Sequence, residues 1–289
     1  MLPLPFTFDR PTTAAAAIAA IGGSDDGMFY SGGTELLLAM KMRVIHTDRL
    51  VDIKGIPGLD RIVLNGSNEV EIGSRCVHRM IAKDPVIGEH VPALSALCAN
   101  VANVRVRSVG TIGGNLCFGE PHADPPTLLA ALNARLVLQG PDGTRSVDVD
   151  DFIRSELETV REPDELLTTI VFPRPTGPVT YRRFKHGERP SVNVGMAWSM
   201  SGDGMIKSAR VRVGALGSRP QPLRAVEAAL AGRAIADVRT AIEAVLVDAL
   251  NELEVNADRH GGADYKRHLA GVLLLRNAEE AMTYKEASR

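Results

Sequence analysis

The chain is poor in cysteine, the residue that builds disulfides, zinc sites and iron–sulfur sites. It has three cysteines, Cys76, Cys98 and Cys117, with no Cys-x-x-Cys pair and no four-ligand set. Zinc and iron–sulfur centres need such sets, so any iron–sulfur cluster that works with this chain is expected on another polypeptide. An odd number of unpaired cysteines also favours a reduced, cytoplasmic location.

An excess of charge and long apolar runs are missing as well. The formal net charge is −2 over 289 residues, which offers no overall attraction for nucleic acid or an anionic membrane. No stretch approaches about 18 uninterrupted apolar residues, and the N-terminus lacks the pattern of a signal peptide. We therefore expect a cytoplasmic protein with no nucleic-acid partner and no transmembrane segment.

The usual motifs of nucleotide binding and covalent catalysis are absent too. The sequence contains no P-loop ending in Gly-Lys-Ser/Thr, no three-glycine dinucleotide fingerprint, no nucleophile elbow and no His-Glu-x-x-His. We predict no catalytic residue and no metal site on this chain. Such a sequence is typical of a protein whose reactive group is a bound cofactor.

Two short glycine-bearing segments are the most informative features that are present. They are Ser31-Gly32-Gly33-Thr34-Glu35-Leu36 and Thr111-Ile112-Gly113-Gly114-Asn115, and each is predicted to join an apolar strand to a tight turn. Consecutive glycines allow positive φ and close backbone approach, so several main-chain N–H groups can converge on one anion. Either segment alone is an ordinary turn, but together they predict a cradle for a diphosphate.

A cluster of polar residues follows the second glycine segment. Glu120, His122 and Asp124 alternate, so they would share one face of an extended segment, as metal ligands can. The prolines and glycine around them favour a loop instead, in which such side chains cap or hydrogen-bond. Asp124 has two candidate roles: capping the helix that follows, or accepting hydrogen bonds from the hydroxyls of a sugar-like ligand such as a ribityl chain.

The periodicity of the chain predicts a mixed α+β fold. Thr12 and Thr13 precede an alanine-rich helix over 14–21, and the first 55 or so residues alternate helix and strand, which favours parallel pairing. The middle of the chain combines short strands with helices over 92–103 and 126–133, and a hairpin with a longer loop is predicted around Pro141-Asp142-Gly143.

A proline-rich linker divides this part of the chain from the rest. Pro173, Pro175 and Pro178 remove backbone donors and disfavour regular ladders. Beyond them, strands over 191–200 and 205–216 flank Gly202-Asp203-Gly204, and helical patterns follow near 222–231, 237–253 and 264–283. This pattern predicts a small antiparallel sheet backed by helices.

In their order along the chain, four features resemble the FAD-binding medium subunit of the molybdenum hydroxylases. That family includes the flavoproteins of xanthine dehydrogenase and bacterial carbon monoxide dehydrogenase. The features are the first glycine segment continuing to Lys41, Leu50 to Leu59, Val109 to Leu116 followed by Asp124, and Tyr265 to Leu273. The resemblance implies an FAD-binding domain over 1–175, with α+β subdomains of about 1–56 and 57–175. It also implies a C-terminal domain over 179–289 with a three-stranded antiparallel sheet and helices.

The resemblance also implies which residues contact FAD. They are Ser31, Gly32, Gly33, Thr34, Glu35, Leu36, Thr111, Gly113, Gly114, Asn115, Asp124, Leu167 and Lys185. For Lys185 a simple surface cation is the alternative. Relatives carry an Ala-Ser-Pro run before the aspartate, whereas this chain has Phe118 to His122, so contacts near the flavin are expected to differ.

The partners implied by the resemblance are a large molybdopterin subunit and a small subunit with two [2Fe–2S] clusters, assembled as a dimer of heterotrimers. FAD on this chain would receive electrons from the clusters and pass them to an external acceptor. Two other functions stay open at this point: a self-contained flavin oxidase, and an assembly subunit that has lost the cofactor.

Overall fold

The structure is a computed structural model that describes residues 3–202 and 204–283. The predicted domain ends at 1–2 and 284–289, and Asp203 of the predicted turn, lie outside the described residues. Across the described ranges the chain forms a three-stranded, a five-stranded, a four-stranded and a two-stranded sheet. No helix within these ranges is both long enough and apolar enough to cross a bilayer.

The N-terminal part is a small parallel sheet with two connecting helices. Its elements are β1 (Thr7–Asp9), α1 (Ala14–Gly22), β2 (Gly27–Tyr30), α2 (Leu36–Lys41) and β3 (Arg49–Asp52). The strands pair in the order β1-β3-β2, and both pairs are parallel as predicted. Thr13 begins α1, because its hydroxyl oxygen accepts a hydrogen bond from the Ala16 N–H at 3.2 Å.

The central part is an antiparallel sheet covered by short helices. Its strands are β4 (Ile62–Leu64), β5 (Glu69–Gly73), β6 (Arg135–Gly140), β7 (Gly143–Asp148), β8 (Ile153–Ser155), β9 (Glu158–Thr159) and β10 (Leu166–Pro173). Its helices are α3 (His78–Ile81), α4 (Pro85–His90), α5 (Pro92–Asn100), α6 (Val104–Val109), α7 (Ile112–Phe118), α8 (Pro125–Ala131) and α9 (Val149–Phe152). The large sheet has the order β4-β5-β10-β6-β7, and β8 pairs with β9.

The C-terminal part is an antiparallel sheet backed by helices, as predicted. Its elements are β11 (Val179–Lys185), β12 (Pro190–Met200), β13 (Ile206–Gly214), β14 (Gln221–Pro222), α10 (Arg224–Leu230), α11 (Val238–Asn251) and α12 (Ala263–Met282). The three long strands β11, β12 and β13 are the expected sheet, and the two-residue β14 adds a short edge. Helices α10 to α12 bury one apolar cluster against β12 and β13.

Some local predictions were wrong for identifiable reasons. The approach to the second glycine segment is helix α6, not a strand, because Asn103 caps it by accepting hydrogen bonds from the N–H groups of Arg105 and Val106. The second segment itself is not a tight turn, since Thr111 begins helix α7. The β6–β7 hairpin closes with only Pro141 and Asp142 between paired glycines, so its loop is short.

An ionic contact joins the central part to the C-terminal sheet. The Arg212 guanidinium on β13 is 2% exposed and donates to both carboxylate oxygens of Asp150 on α9 at 2.8 Å. Arg212 also donates to Glu227 on α10, and Arg210 donates to Asp150 at 2.6 Å. Burial favours a higher pKa for Asp150, but the hydrogen bonds and charge of Arg212 outweigh it and hold that pKa below its usual value.

Asp150→Ala is expected to lower the free energy of unfolding by about 3 kcal/mol, because the buried guanidinium of Arg212 would lose its carboxylate partner on α9. Urea unfolding, followed by the fluorescence of the single tryptophan, Trp198, measures the change. Asp151→Ala is the matched control, since Asp151 is exposed and adjacent. Equal losses for the two variants would contradict this role of Asp150.

Candidate functional site

A large cavity lies between the N-terminal and central parts, with its rim reaching the C-terminal sheet. Its volume is about 570 Å³, within the usual range for small-molecule sites. All of the residues predicted to contact a cofactor, except Lys185, line its wall. Those on the wall are Ser31, Gly32, Gly33, Thr34, Glu35, Leu36, Thr111, Gly113, Gly114, Asn115, Asp124 and Leu167.

The first glycine segment presents unpaired backbone donors to the cavity. It runs from the end of β2 to the start of α2, and Gly33 has a φ of +68°, which favours glycine. The N–H groups of Gly32, Gly33, Thr34 and Glu35 donate to no acceptor among the described residues. Because these donors are consecutive and open to the cavity, they can converge on an anion.

The second glycine segment differs, because its backbone donors are already in use. The Ile112 N–H donates to Cys76 O at 3.0 Å, and the Gly113 N–H donates to Ser74 O at 2.9 Å. The Gly114 N–H donates to the Thr111 hydroxyl at 3.1 Å. The two glycine segments therefore do not bind an anion in the same way. The second can contact a ligand chiefly through its side chains and through the shape of its surface.

The glycines bring the two segments into contact. A Cβ on Gly32 would overlap the Val109 carbonyl oxygen and lie 2.9 Å from Gly110 Cα. A Cβ on Gly113 would lie 2.6 Å from both Cβ and O of Ser74. Gly32 therefore lies against the backbone just before the second segment, and Gly113 lies against Ser74, so a side chain larger than hydrogen at either position would push these neighbours apart.

Several polar side-chain atoms on the cavity wall are buried without a partner. They are Ser31 Oγ, Ser74 Oγ, His78 Nδ1 and Asn115 Oδ1. An unsatisfied buried polar atom costs about 1–3 kcal/mol, so a cluster of them beside one cavity indicates groups reserved for a ligand.

Asp124 faces the C-terminal sheet rather than capping a helix. It precedes α8 but accepts no hydrogen bond from that helix, so the capping interpretation is wrong. Its carboxylate instead accepts hydrogen bonds from the Tyr181 hydroxyl and from Arg183, both on β11. Burial raises the pKa of Asp124, with the Arg183 charge opposing it. A carboxylate has further lone pairs, so Asp124 still has room to accept from a ligand hydroxyl at the cavity wall.

The two remaining predicted contacts differ in position. Leu167 on β10 is buried and forms part of the cavity wall. Lys185, the last residue of β11, is exposed and outside the wall. Its charge does act on Asp124, where it favours a lower pKa.

An ionic chain closes the rim of the cavity. Arg189, just before β12, donates to both carboxylate oxygens of Glu35 at 3.2 Å. The same guanidinium pairs with Glu120. The carboxylate of the preceding residue, Glu188, accepts a hydrogen bond from the Asn103 side-chain amide at 2.8 Å. The connection between β11 and β12 thereby contacts the first glycine segment and the loop after α7.

His122 continues this chain into the C-terminal helices. Its ring nitrogens lie 3.2 Å from Glu120 Oε1 and 3.0 Å from Asp258 Oδ2. Lys266 on α12, fully buried, donates to Asp258 at 2.7 Å. The hydrogen bond to Glu120 raises the pKa of His122, and Asp258 adds to the effect against the opposing influence of burial. The loop prediction for this segment agrees with the structure, and Asp124 does not share a face with Glu120 and His122.

Comparison with known proteins decides the family. Residues 4–175 match the family described as the FAD binding domain in molybdopterin dehydrogenase, and residues 177–281 match the CO dehydrogenase flavoprotein C-terminal domain. The carbon monoxide dehydrogenase medium chain of Hydrogenophaga pseudoflava is 32% identical over 282 residues, which are 96% of each chain. This chain belongs to the FAD-binding medium subunits of the molybdenum hydroxylases.

Other relatives agree along the whole length. The nicotine 6-hydroxylase medium subunit of Paenarthrobacter nicotinovorans is 29% identical, over 95% of this chain and 96% of that one. The solved structure of reconstituted CO dehydrogenase from Oligotropha carboxidovorans contains a chain with a TM-score of 0.92 and 29% identity, covering 99% of this chain and 100% of that chain. The predicted family, the α+β fold, the oxidoreductase class and the FAD cofactor are confirmed.

The cavity fits the cofactor of this medium subunit. FAD carries a diphosphate that only accepts hydrogen bonds, and the free N–H groups of Gly32 to Glu35 supply donors without competing charge. Of the arginines in the wall, Arg189 pairs with Glu35 and Glu120, and Nη1 of Arg161 donates to the carbonyl oxygens of Glu162 and Glu165. The backbone N–H groups of Gly32 to Glu35, in contrast, make no hydrogen bond to another described residue and are available to the phosphates.

Among the residues of the cavity wall that sequence reasoning missed are Ser74, His78, Arg161 and Arg189. None belongs to a glycine motif, and each reaches the cavity only through the tertiary fold. Ser74 directly follows strand β5, and ligand-contacting residues are common on loops at strand ends.

Gly114→Val is expected to weaken FAD binding by on the order of 100-fold, because its side chain would occupy space at the cavity wall. Gly114 is exposed on that wall, and a Cβ there would lie 2.9 Å from Thr111 Oγ1. Flavin fluorescence titration of the apo chain measures the affinity. Gly88→Val in α4, another helical glycine with open space around it, is the control, and equal affinities for the two variants would refute the prediction.

His122→Asn is expected to lower the free energy of unfolding by about 1 kcal/mol near pH 5.5 and by less near pH 8.5. Because the pKa of His122 is raised on folding, its stabilisation is complete below the unfolded value of about 6.5 and is lost as pH rises through the folded value. Urea unfolding at several pH values measures the trend, with the exposed His268→Asn as control. A penalty that grows with pH would contradict it.

Proposed function

We propose that this chain carries the FAD through which electrons leave a molybdenum hydroxylase. Electrons from [2Fe–2S] clusters of a small partner subunit would reach FAD and then an external acceptor. A large molybdopterin subunit would oxidise the substrate. We place this assembly in the cytoplasm as a dimer of heterotrimers, with an FAD-binding domain over 1–175 and a C-terminal domain over 179–289.

The observation that carries the proposal is the cavity wall at 31–36. Four consecutive backbone N–H groups without an internal acceptor open onto a cavity of about 570 Å³. The second glycine segment lines the same cavity. Consecutive backbone N–H groups can bind an anion such as the diphosphate of FAD without a lysine or arginine side chain.

We assign roles on this basis to the residues predicted to contact FAD. Gly32, Gly33, Thr34 and Glu35 hold the diphosphate through their N–H groups. Thr111, Gly113, Gly114 and Asn115 form the facing wall, with Asn115 contributing its amide. Ser31 and Leu36 flank the first segment, Leu167 packs against the flavin, and Asp124 accepts from a ribityl hydroxyl. Lys185 acts through its charge on Asp124 rather than by contact.

When bound, FAD supplies a centre that accepts and releases one or two electrons. The contribution of the protein is to hold, orient and shield that centre. Arg189 fixes Glu35 and Glu120 at the rim, so the first glycine segment and the loop after α7 keep a constant separation. Leu166 and Leu167 give the wall an apolar section that excludes water from the ring.

The substrate is set by the partner subunit, and relatives illustrate the range. They include medium chains of enzymes named carbon monoxide dehydrogenase, nicotine 6-hydroxylase and glyceraldehyde dehydrogenase. Carbon monoxide, nicotine and glyceraldehyde are therefore the first compounds to assay with the purified assembly.

A flavin-free assembly separates the proposed role from its alternatives. The assembly carrying Gly114→Val is expected to retain molybdenum and iron but little FAD. Substrate should still reduce its iron–sulfur clusters, as seen by electron paramagnetic resonance, while reduction of the external acceptor falls at least tenfold. The Gly88→Val assembly is the control for folding and assembly.

Two results would overturn the proposal. Acceptor reduction at the wild-type rate in the flavin-free assembly would make the chain an assembly subunit. Substrate oxidation by the isolated, FAD-loaded chain would make it a self-contained flavin oxidase.

A further inference from the structure

We propose that Ser74 and His78 form a third wall of the cofactor site and bind the FAD diphosphate through their side chains. The inference rests on the proposed function, because it assumes that FAD occupies the cavity between the two glycine segments. It assigns ligand contacts to the stretch between β5 and α3, which carries no glycine motif.

The first support is the pair of unsatisfied side chains. Ser74 is 3% and His78 is 2% exposed, and both line the cavity. Neither Ser74 Oγ nor His78 Nδ1 has a hydrogen-bond partner among the described residues. Burying such groups without a partner is unfavourable, and a ligand in the cavity that accepts hydrogen bonds removes the penalty.

The second support is how this stretch packs on the second glycine segment. The Gly113 N–H donates to Ser74 O at 2.9 Å, the Ile112 N–H to Cys76 O at 3.0 Å, and the His78 N–H to Gly110 O at 3.1 Å. Residues 74–78 and 110–113 thus run side by side as paired backbone. Ser74 and His78 of the first stretch and Gly110, Thr111 and Gly113 of the second line the same cavity.

The third support is that this backbone pairing leaves the second glycine segment with few free N–H donors. The backbone N–H groups of Ile112, Gly113 and Gly114 are occupied, so the second side of the cavity needs other donors for phosphate oxygens. The Ser74 hydroxyl and one ring N–H of His78 can supply them. The first side of the cavity uses backbone, and the second uses side chains.

His78 meets the phosphate as a neutral donor. Burial lowers its pKa to about 4, and the nearby charge of Arg107 on α6 adds to the effect. At neutral pH the imidazole of the free chain therefore carries one N–H, which it can donate.

The test measures FAD affinity and ³¹P resonances of bound FAD with the full-length apo chain. The variants are Ser74→Ala, His78→Leu and His78→Gln. Thr180→Val is the matched control, since Thr180 Oγ1 is also buried without a partner but lies outside the cavity wall. We expect Ser74→Ala and His78→Leu each to weaken FAD binding about tenfold, with His78→Gln in between. Both diphosphate resonances should shift in these variants and stay unchanged in Thr180→Val.

Stability separates a ligand contact from a structural role. Because Ser74 Oγ is buried without an internal partner, Ser74→Ala should not destabilise the apo chain, while FAD affinity falls. Ser74→Ala and His78→Gln carry the test if His78→Leu does not fold. The inference is overturned if both bind FAD like wild type, or if affinity falls with unchanged ³¹P resonances. A wild-type chain that binds no FAD would instead overturn the proposed function.

Discussion

The site depends on one close backbone contact, where Gly32 lies against the Val109–Gly110 peptide. No side chain fits between these segments, so the loop after β2 and the turn before α7 are held at backbone distance. The N–H groups of Gly32 to Glu35 donate to no acceptor among the described residues, and these residues line the cavity together with the wall at 111–115.

A second constraint ties this contact to the rest of the chain. Arg189 joins Glu35 of the first segment to Glu120, and His122, Asp258 and Lys266 continue the connection to helix α12. Opposite charges alternate along this path, so each carboxylate has a cation beside it and none is left buried alone. The C-terminal part therefore contributes to the rim of the cavity as well as to its own core.

The sequence was enough to predict the fold class, the parallel opening sheet, the C-terminal sheet with its helices and the two glycine segments of the cavity wall. These follow from periodicity and from glycine pairs, which act locally. It was not enough to predict features that depend on hydrogen bonds between residues far apart in the chain. The N–H groups of Gly113 and Ile112 are taken up by Ser74 and Cys76, far away in the chain, so equivalent roles for the two glycine segments could not be rejected. Asp124 was placed at a helix start correctly, but its partners Tyr181 and Arg183 come from a strand beyond the linker.

The central claim is that the diphosphate of FAD lies between residues 32–35 and the wall formed by 74–78 and 111–115. An experimental structure of the FAD-loaded chain tests it most directly. The account predicts phosphate oxygens within hydrogen-bond distance of the Gly33 and Thr34 N–H groups on one side and of the Ser74 hydroxyl on the other. A diphosphate outside this cavity, or held mainly by Arg161 or Arg189, would contradict it.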